Sequence, residues 1–158
     1  MLKTTIQYII ILLLFSTFLL ISCKRTTKFD REAYVFRYLN EIQNFPTKDT
    51  SFYLFIISNS ACNCSGDLNV IFKELDLNTT EQNKIFVFAK EDSILEQSIQ
   101  KNIRKYSIII DKDSNLRKYG LNNATHYFFD IKNEKIIYWN NIDNSLKDEI
   151  KQYIEKKK

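Results

Sequence analysis

The spacing of apolar residues switches along the chain between contiguous runs and helical stripes, and the switches lay out the elements. Phe52 to Ile57 is an unbroken apolar run rich in aromatic and β-branched residues, the pattern of a strand covered on both faces. Leu68, Ile71, Phe72 and Leu75 then recur at helical spacing on one face. Lys84 to Ala89 reads Lys-Ile-Phe-Val-Phe-Ala and predicts a second buried strand. Glu91 to Arg104 predicts a helix with Ile94, Leu95, Ile99 and Ile103 as its stripe, Glu91 and Asp92 suiting its first turn. Ser107 to Ile110 is a third apolar run, and Ser114 to Tyr119 supplies one or two helical turns closed by Gly120 at C′. Tyr127 to Ile131 and Ile136 to Trp139 predict a hairpin about the tight turn Lys132-Asn133-Glu134-Lys135. Asp143 is placed to cap a last helix with Leu146, Ile150, Tyr153 and Ile154 on its apolar face. Upstream, Asp30 is placed to cap a helix over Arg31 to Gln43, with Ala33, Phe36, Leu39 and Ile42 sharing a face and Phe45-Pro46-Thr47 ending it.

Strands alternating with helices imply parallel crossovers and a covered sheet, and the closing hairpin adds one antiparallel strand. The expected fold is α/β: a mixed sheet of about five strands flanked by helices, with an additional N-terminal helix.

The first residues read differently. Lys3 supplies a positive start, and Ile6 to Ile21 is an apolar run of 16 positions interrupted by Gln7, Tyr8, Ser16 and Thr17. That is short for a membrane-spanning helix, which needs about 20 residues, and fits a secretory signal. Leu20-Ile21-Ser22-Cys23 resembles the lipobox of bacterial lipoproteins. The resemblance implies that Cys23 is lipidated and becomes the mature N-terminus; the alternative is an uncleaved anchor with an incidental cysteine. The expected division is a signal peptide over 1–22, a lipidated tether and N-terminal helix over 23–47, and one domain over 48–158.

Charge changes the picture little. The formal net charge is +4, and basic residues are mixed with acidic ones, which gives a nucleic-acid or strong membrane-surface role little support. Lys156-Lys157-Lys158 reads as a solvated tail. Gly and Pro are scarce, two and one in the chain, so the single proline, Pro46, is unavailable elsewhere.

Candidate chemistry sits between the first strand and the first crossover helix, at Cys62 and Cys64. With Cys23 lipidated these are the remaining thiols, and an exported compartment permits a disulfide. A helix start stabilises thiolate over thiol. An i, i+2 disulfide is awkward within a helix, where the two side chains point to nearly opposite faces; formed in the loop it carries strain, which eases reduction.

The element order, with paired cysteines after the first buried strand, resembles the thioredoxin-like superfamily, in particular exported redoxin and disulfide-reductase lipoproteins. The resemblance covers about Lys48 to Lys158. It rests on Phe52 to Ser65, on Ile109-Ile110-Asp111 to Tyr119-Gly120-Leu121, and on Ala124-Thr125-His126-Tyr127-Phe128-Phe129-Asp130. It implies a lipid-anchored, periplasm-facing thiol-disulfide oxidoreductase acting on protein thiols or disulfides without a cofactor. Cys62 would be the nucleophile and Cys64 the resolving thiol; Ser60, Ser65, Ala124 and Thr125 would contact substrate or thiolate. The chain departs from the superfamily pattern in three places. Ala61 stands where Trp is expected, the thiols are separated by Asn63 alone so that Ser65 takes the second Cys position, and Ala124 replaces the proline before the fourth strand. A non-proline cis bond costs about 2.5–4 kcal/mol, so a trans bond is expected there. No acidic residue is assigned as a proton acceptor under the thiols.

Two rival functions remain open: a degenerate redoxin-like module that binds without catalysis, and a copper-binding chaperone. Cys62, Cys64 and His126, the single histidine, would suit Cu(I) or Zn(II). The plainer expectation for His126 is a sheet-edge or partly buried ring bonded to backbone, with no metal. Asp111-Lys112-Asp113-Ser114-Asn115 superficially resembles a calcium loop, but Leu116 and Asn122 stand where Gly and Glu are needed, so it reads as a turn.

Overall fold

The computed structural model describes residues 29–58, 68, 71–73, 75, 82–121, 125–142 and 147–157. Five strands form one sheet: β1 (Ser51–Ile57), β2 (Asn83–Phe88), β3 (Tyr106–Ile110), β4 (His126–Lys132) and β5 (Lys135–Ile142), in the order β3-β2-β1-β4-β5. β1, β2 and β3 are parallel to their neighbours, while β4 runs antiparallel to β1 and β5 antiparallel to β4. The order and directions are those of a thioredoxin-like fold, as the sequence resemblance implies.

The central place of β1 follows from its composition. Phe52 to Ile57 are all buried, because successive side chains point to opposite faces and each face has its own cover. On one face Tyr53, Phe55, Ile57, Phe86, Phe88 and Phe128 pack against helical residues Leu68, Ile71, Phe72 and Leu75. Leu95 and Ile99 of α2 (Ser93–Asn102) and Ile150 and Ile154 of α4 (Lys147–Glu155) complete that cover. On the other face Phe52, Leu54, Ile56, Ile85, Val87 and Phe129 pack against Phe29, Val35, Tyr38 and Leu39, with Leu116 of α3 (Asn115–Lys118).

The strands and hairpin fall where the apolar runs predict, with β5 longer at both ends. Asn133 and Glu134 both take positive φ, 49° and 57°, which matches the right-handed twist of the two strands they join. Three local expectations are corrected. Asp30 is exposed and does not cap the first helix; Arg31 holds the cap position of α1 (Glu32–Arg37) without a side-chain bond. Of the expected stripe Leu39 is buried and Phe36 and Ile42 are half-buried against the same core, while Ala33 is exposed and Val35 and Tyr38 are buried beside Leu39. The helix continues in a wider π turn over Tyr38–Ile42, and a methyl at Ala33 has little area to bury. Ile94 is 78% exposed rather than part of the α2 stripe: Asp92 is the N-cap, accepting from the Leu95 amide at 3.0 Å, and that start turns Ile94 outward. The expected cap at Asp143 and contact at Leu146 lie outside the described residues.

Asp111 explains the turn after β3. Its two carboxylate oxygens accept from the Asn115 and Leu116 amides at 3.0 and 2.8 Å, so it satisfies the open start of α3. Gly120 follows at φ +66°, and the Arg31 guanidinium lies 3.3 Å from where a Cβ would stand. Arg31 donates to the Gly120 carbonyl and ties α1 to the segment leading into β4. No helix of the described residues is long and apolar enough to cross a membrane.

Candidate functional site

Cross-strand register divides the helix-covered face into three rows. One end carries Ile110, Phe88 and Ile57 in register on the parallel strands, with His126 opposite Ile142 on the hairpin. The middle row is Ile108, Phe86, Phe55, Phe128 and Asn140. The far row is Tyr106, Lys84, Tyr53, Asp130 and Tyr138, one residue from each of the five strands. His126 shares the face of Phe128 and Asp130 because alternate residues of a strand point the same way.

The redox site expected from the sequence follows in the chain from the first of these rows. β1 ends at Ile57 and leads through Ser58 toward Cys62. Cys62, Cys64, Ser60, Ser65, Ala124 and Cys23 lie outside the described residues. Thr125, half-buried, and His126 are described. The strand that leads to the thiols and the strand that follows Ala124 meet here: the Ser58 amide donates to His126 Nδ1 at 3.1 Å. Both flanks of the expected site therefore converge at one hydrogen bond, between residues well separated in sequence.

That bond sets the chemistry of the ring. His126 is 4% exposed, and burial pushes its pKa below the ordinary 6.5 by penalising the charged form. A neutral ring accepting at Nδ1 carries its hydrogen on Nε2. A histidine ligating a metal through one nitrogen instead donates an N–H from the other. The Ser58 amide occupies the nitrogen that would have to donate, so this ring is arranged opposite to a ligand bound through Nε2. Among the described residues no group of three metal-ligating side chains occurs.

The buried carboxylates among the described residues, Asp111 and Asp130, stand elsewhere. Asp111 is engaged at α3. Asp130 is four residues along β4 from His126, about 13 Å at strand rise, in the far row. Sequence reasoning missed what gathers there. The Tyr153 hydroxyl donates to Asp130 Oδ2 at 2.6 Å, and the Lys157 ammonium binds the same oxygen. Lys157 is thus no part of a solvated tail. Tyr153 stacks on Tyr138 at 3.8 Å between centroids. Lys84 is fully buried, its Nζ 3.4 Å from the Arg104 carbonyl. Burial, and then the carboxylate of Asp130, pushes the Tyr53 and Tyr153 hydroxyls well above the usual phenol range.

No family profile matches the chain, and no curated protein matches it. Solved structures do. A protein from Chlorobium tepidum provisionally named thiol:disulfide interchange protein DsbE aligns at 14% identity and TM-score 0.48, covering 68% of this chain and 79% of its own. The C-terminal domain of an uncharacterized protein from Bacteroides fragilis aligns at 14% identity and TM-score 0.41, covering 70% and 81%. A thioredoxin-like protein from Bacteroides caccae aligns at 12% identity and TM-score 0.45, covering 72% of this chain. This chain spans 42% of the Bacteroides caccae protein.

Proposed function

We propose that the protein is a membrane-anchored extracytoplasmic thiol-disulfide oxidoreductase that works through Cys62 and Cys64. The observation that carries the reading is the Ser58–His126 bond, which joins the strand leading to the thiols to the strand following Ala124 and Thr125. The thioredoxin-like sheet supports it by directing the C-terminal end of β1 and the N-terminal end of β4 to the same edge. Cys23 is the lipidation site in this reading. Residues 1–22 are the signal peptide, 23–47 the tether and first helix, and 48–158 the redox domain.

The chemistry balances in two exchanges. The Cys62 thiolate attacks one sulfur of a substrate disulfide, forming a mixed disulfide and expelling the other sulfur as thiolate. The Cys64 thiolate then attacks Cys62, closing the Cys62–Cys64 bond and releasing the second substrate thiol. Two electrons pass to the substrate, and a thiol-bearing partner must return two to reset the pair. In this reading Thr125 and Ala124 would meet the substrate backbone, and Ser60 and Ser65 would hydrogen-bond the thiolate. Ala61 and Ala124 in place of Trp and Pro leave less surface to grip a substrate, so activity on a generic disulfide is low.

Mass spectrometry of the exported protein, native and after mild reduction, tests the reading together with a Cys64→Ser trap. A reversible two-proton change and partners captured on Cys62 are expected. Permanently free, unreactive thiols would leave a lipid-anchored binding module instead. Copper that binds the reduced protein tightly, and weakly in His126→Ala, would replace the redox reading with a metal-handling one.

A further inference from the structure

The far row holds a partly enclosed cation. The Lys157 ammonium lies 5.2 Å from the Tyr153 ring centroid and 5.9 Å from that of Tyr53, within reach of both ring faces. It pairs with Asp130, whose side chain is 1% exposed. Tyr138, stacked on Tyr153, backs one wall. Two faces of aromatic ring and one carboxylate are the elements by which proteins recognise alkylammonium groups. Lys157 itself is 37% exposed, so the walls are buried more deeply than the group between them.

The walls also have unused capacity. Tyr153 and Lys157 both use Asp130 Oδ2. Asp130 Oδ1 and the Tyr53 hydroxyl are buried and have no hydrogen-bond partner among the described residues, although buried polar groups are as a rule satisfied. An ammonium carries three donors, and one seated deeper than Lys157 would reach acceptors that Lys157 leaves empty. We propose that Tyr53, Asp130 and Tyr153 form a binding site for a primary alkylammonium group, which Lys157 occupies in cis. Displacing Lys157 opens the site to a small amine or to a lysine side chain of a peptide. The site stands on Tyr53, Asp130, Tyr153 and Lys157 and does not depend on the redox reading.

The test uses the full chain with Lys157→Ala, with Lys151→Ala, on the helix that precedes Lys157, as a control outside the cage. Thermal midpoints are followed while n-butylammonium chloride replaces sodium chloride at constant ionic strength. The expected result is a saturable rise for Lys157→Ala, half-complete at about 1–10 mM, the range small ligands reach, with at most a third of that response in Lys151→Ala. Equal responses in both variants, or none in Lys157→Ala, would overturn the site. Should Lys157→Ala fail to fold unaided, refolding yield decides: a gain with amine over sodium supports the site, equal yields overturn it. A blocked Gly-Lys-Gly peptide run beside n-butylammonium tells the sources apart, the one acting at lower concentration being favoured, and inactivity of both sinks the proposal. Cys62 and Cys64 remain in every variant, so failure here leaves the redox reading standing.

Discussion

The two ends of the helix-covered sheet face are built on opposite terms. At the end where β1 stops, the row is apolar apart from one polar side chain, His126, which stands opposite Ile142 and whose Nδ1 accepts from the Ser58 amide. At the far end, Lys84, Tyr53 and Asp130, beside the half-buried Tyr138, bring polar atoms from four strands to one row, and two of those atoms find no partner among the described residues. The described polar groups thus concentrate at the end away from the Ser58–His126 contact. The difference teaches that burial of charge gathers at the far row of this sheet. In the proposed mechanism the thiols follow Ser58 in the chain, so a helix start and Thr125, rather than the buried carboxylates, would be their polar surroundings.

The comparison breaks most completely at the row between the ends. Phe55 stacks on Phe86 at 4.8 Å and touches Phe72 and Phe128. Phe55→Ala removes the floor of both ends and costs about 3–5 kcal/mol, read as a lower denaturant midpoint at unchanged slope. Asp130→Asn separates the ends: it removes the partner of Lys157 and costs about 2–3 kcal/mol, discounted because Lys157 is partly exposed. The Ser58–His126 contact should survive it, so the His126 ring resonances should hold their shifts; their displacement would show that the ends are coupled.

The pH response of His126 is smaller. Its folded pKa lies below the unfolded value of about 6.5. Below that value the unfolded chain takes up the proton first, so stability is full above pH 6.5 and declines as pH falls toward the folded pKa. The wild-type protein should therefore lose more stability than His126→Gln between pH 7.5 and 5.5, and equal slopes would remove the buried neutral ring from the account. The smallest effect is expected at Ile94→Ser, within about 0.5 kcal/mol, because Ile94 belongs to neither end and is exposed.

How legible all this was in the sequence depends on range. Phe52–Ile57 and the run at Ile85–Phe88 announced themselves because strands buried on both faces are apolar without interruption, and the hairpin because its turn is polar and short. Crossover order then fixed the sheet. In the first helix Leu39, Phe36 and Ile42 were legible from their helical spacing, but Val35 and Tyr38 beside them were not, because aromatic and aliphatic residues surround most of that helix and leave more than one apolar face to choose from. Lys157 sits in a run of three lysines, and only its fold partner Asp130, on another element, distinguishes it from its neighbours. Lys84 was legible as part of the second buried strand, but not its full burial with a charged end. At the candidate site the place of His126 near the start of the fourth strand was legible through the superfamily resemblance, whereas the Ser58 amide carries no side-chain signal at all. Cys62 and Cys64 remain readings of the sequence.

The neighbours of β1 arrive at very different times. β2 is close in the chain, but Ser51 waits for Lys132 and Ile56 for Tyr127 before the second edge is paired. Until then the most apolar strand of the protein has one bare row of amides and carbonyls, an invitation to pair with another chain. Closing so long a loop is slow. A polypeptide emerging from a ribosome or crossing a membrane from its N-terminus therefore cannot bury β1 until β4 has followed it, and any truncation before His126 leaves a sticky fragment. The order of strands in the sheet makes the hairpin the lock on the second edge of β1, fitted late in the chain.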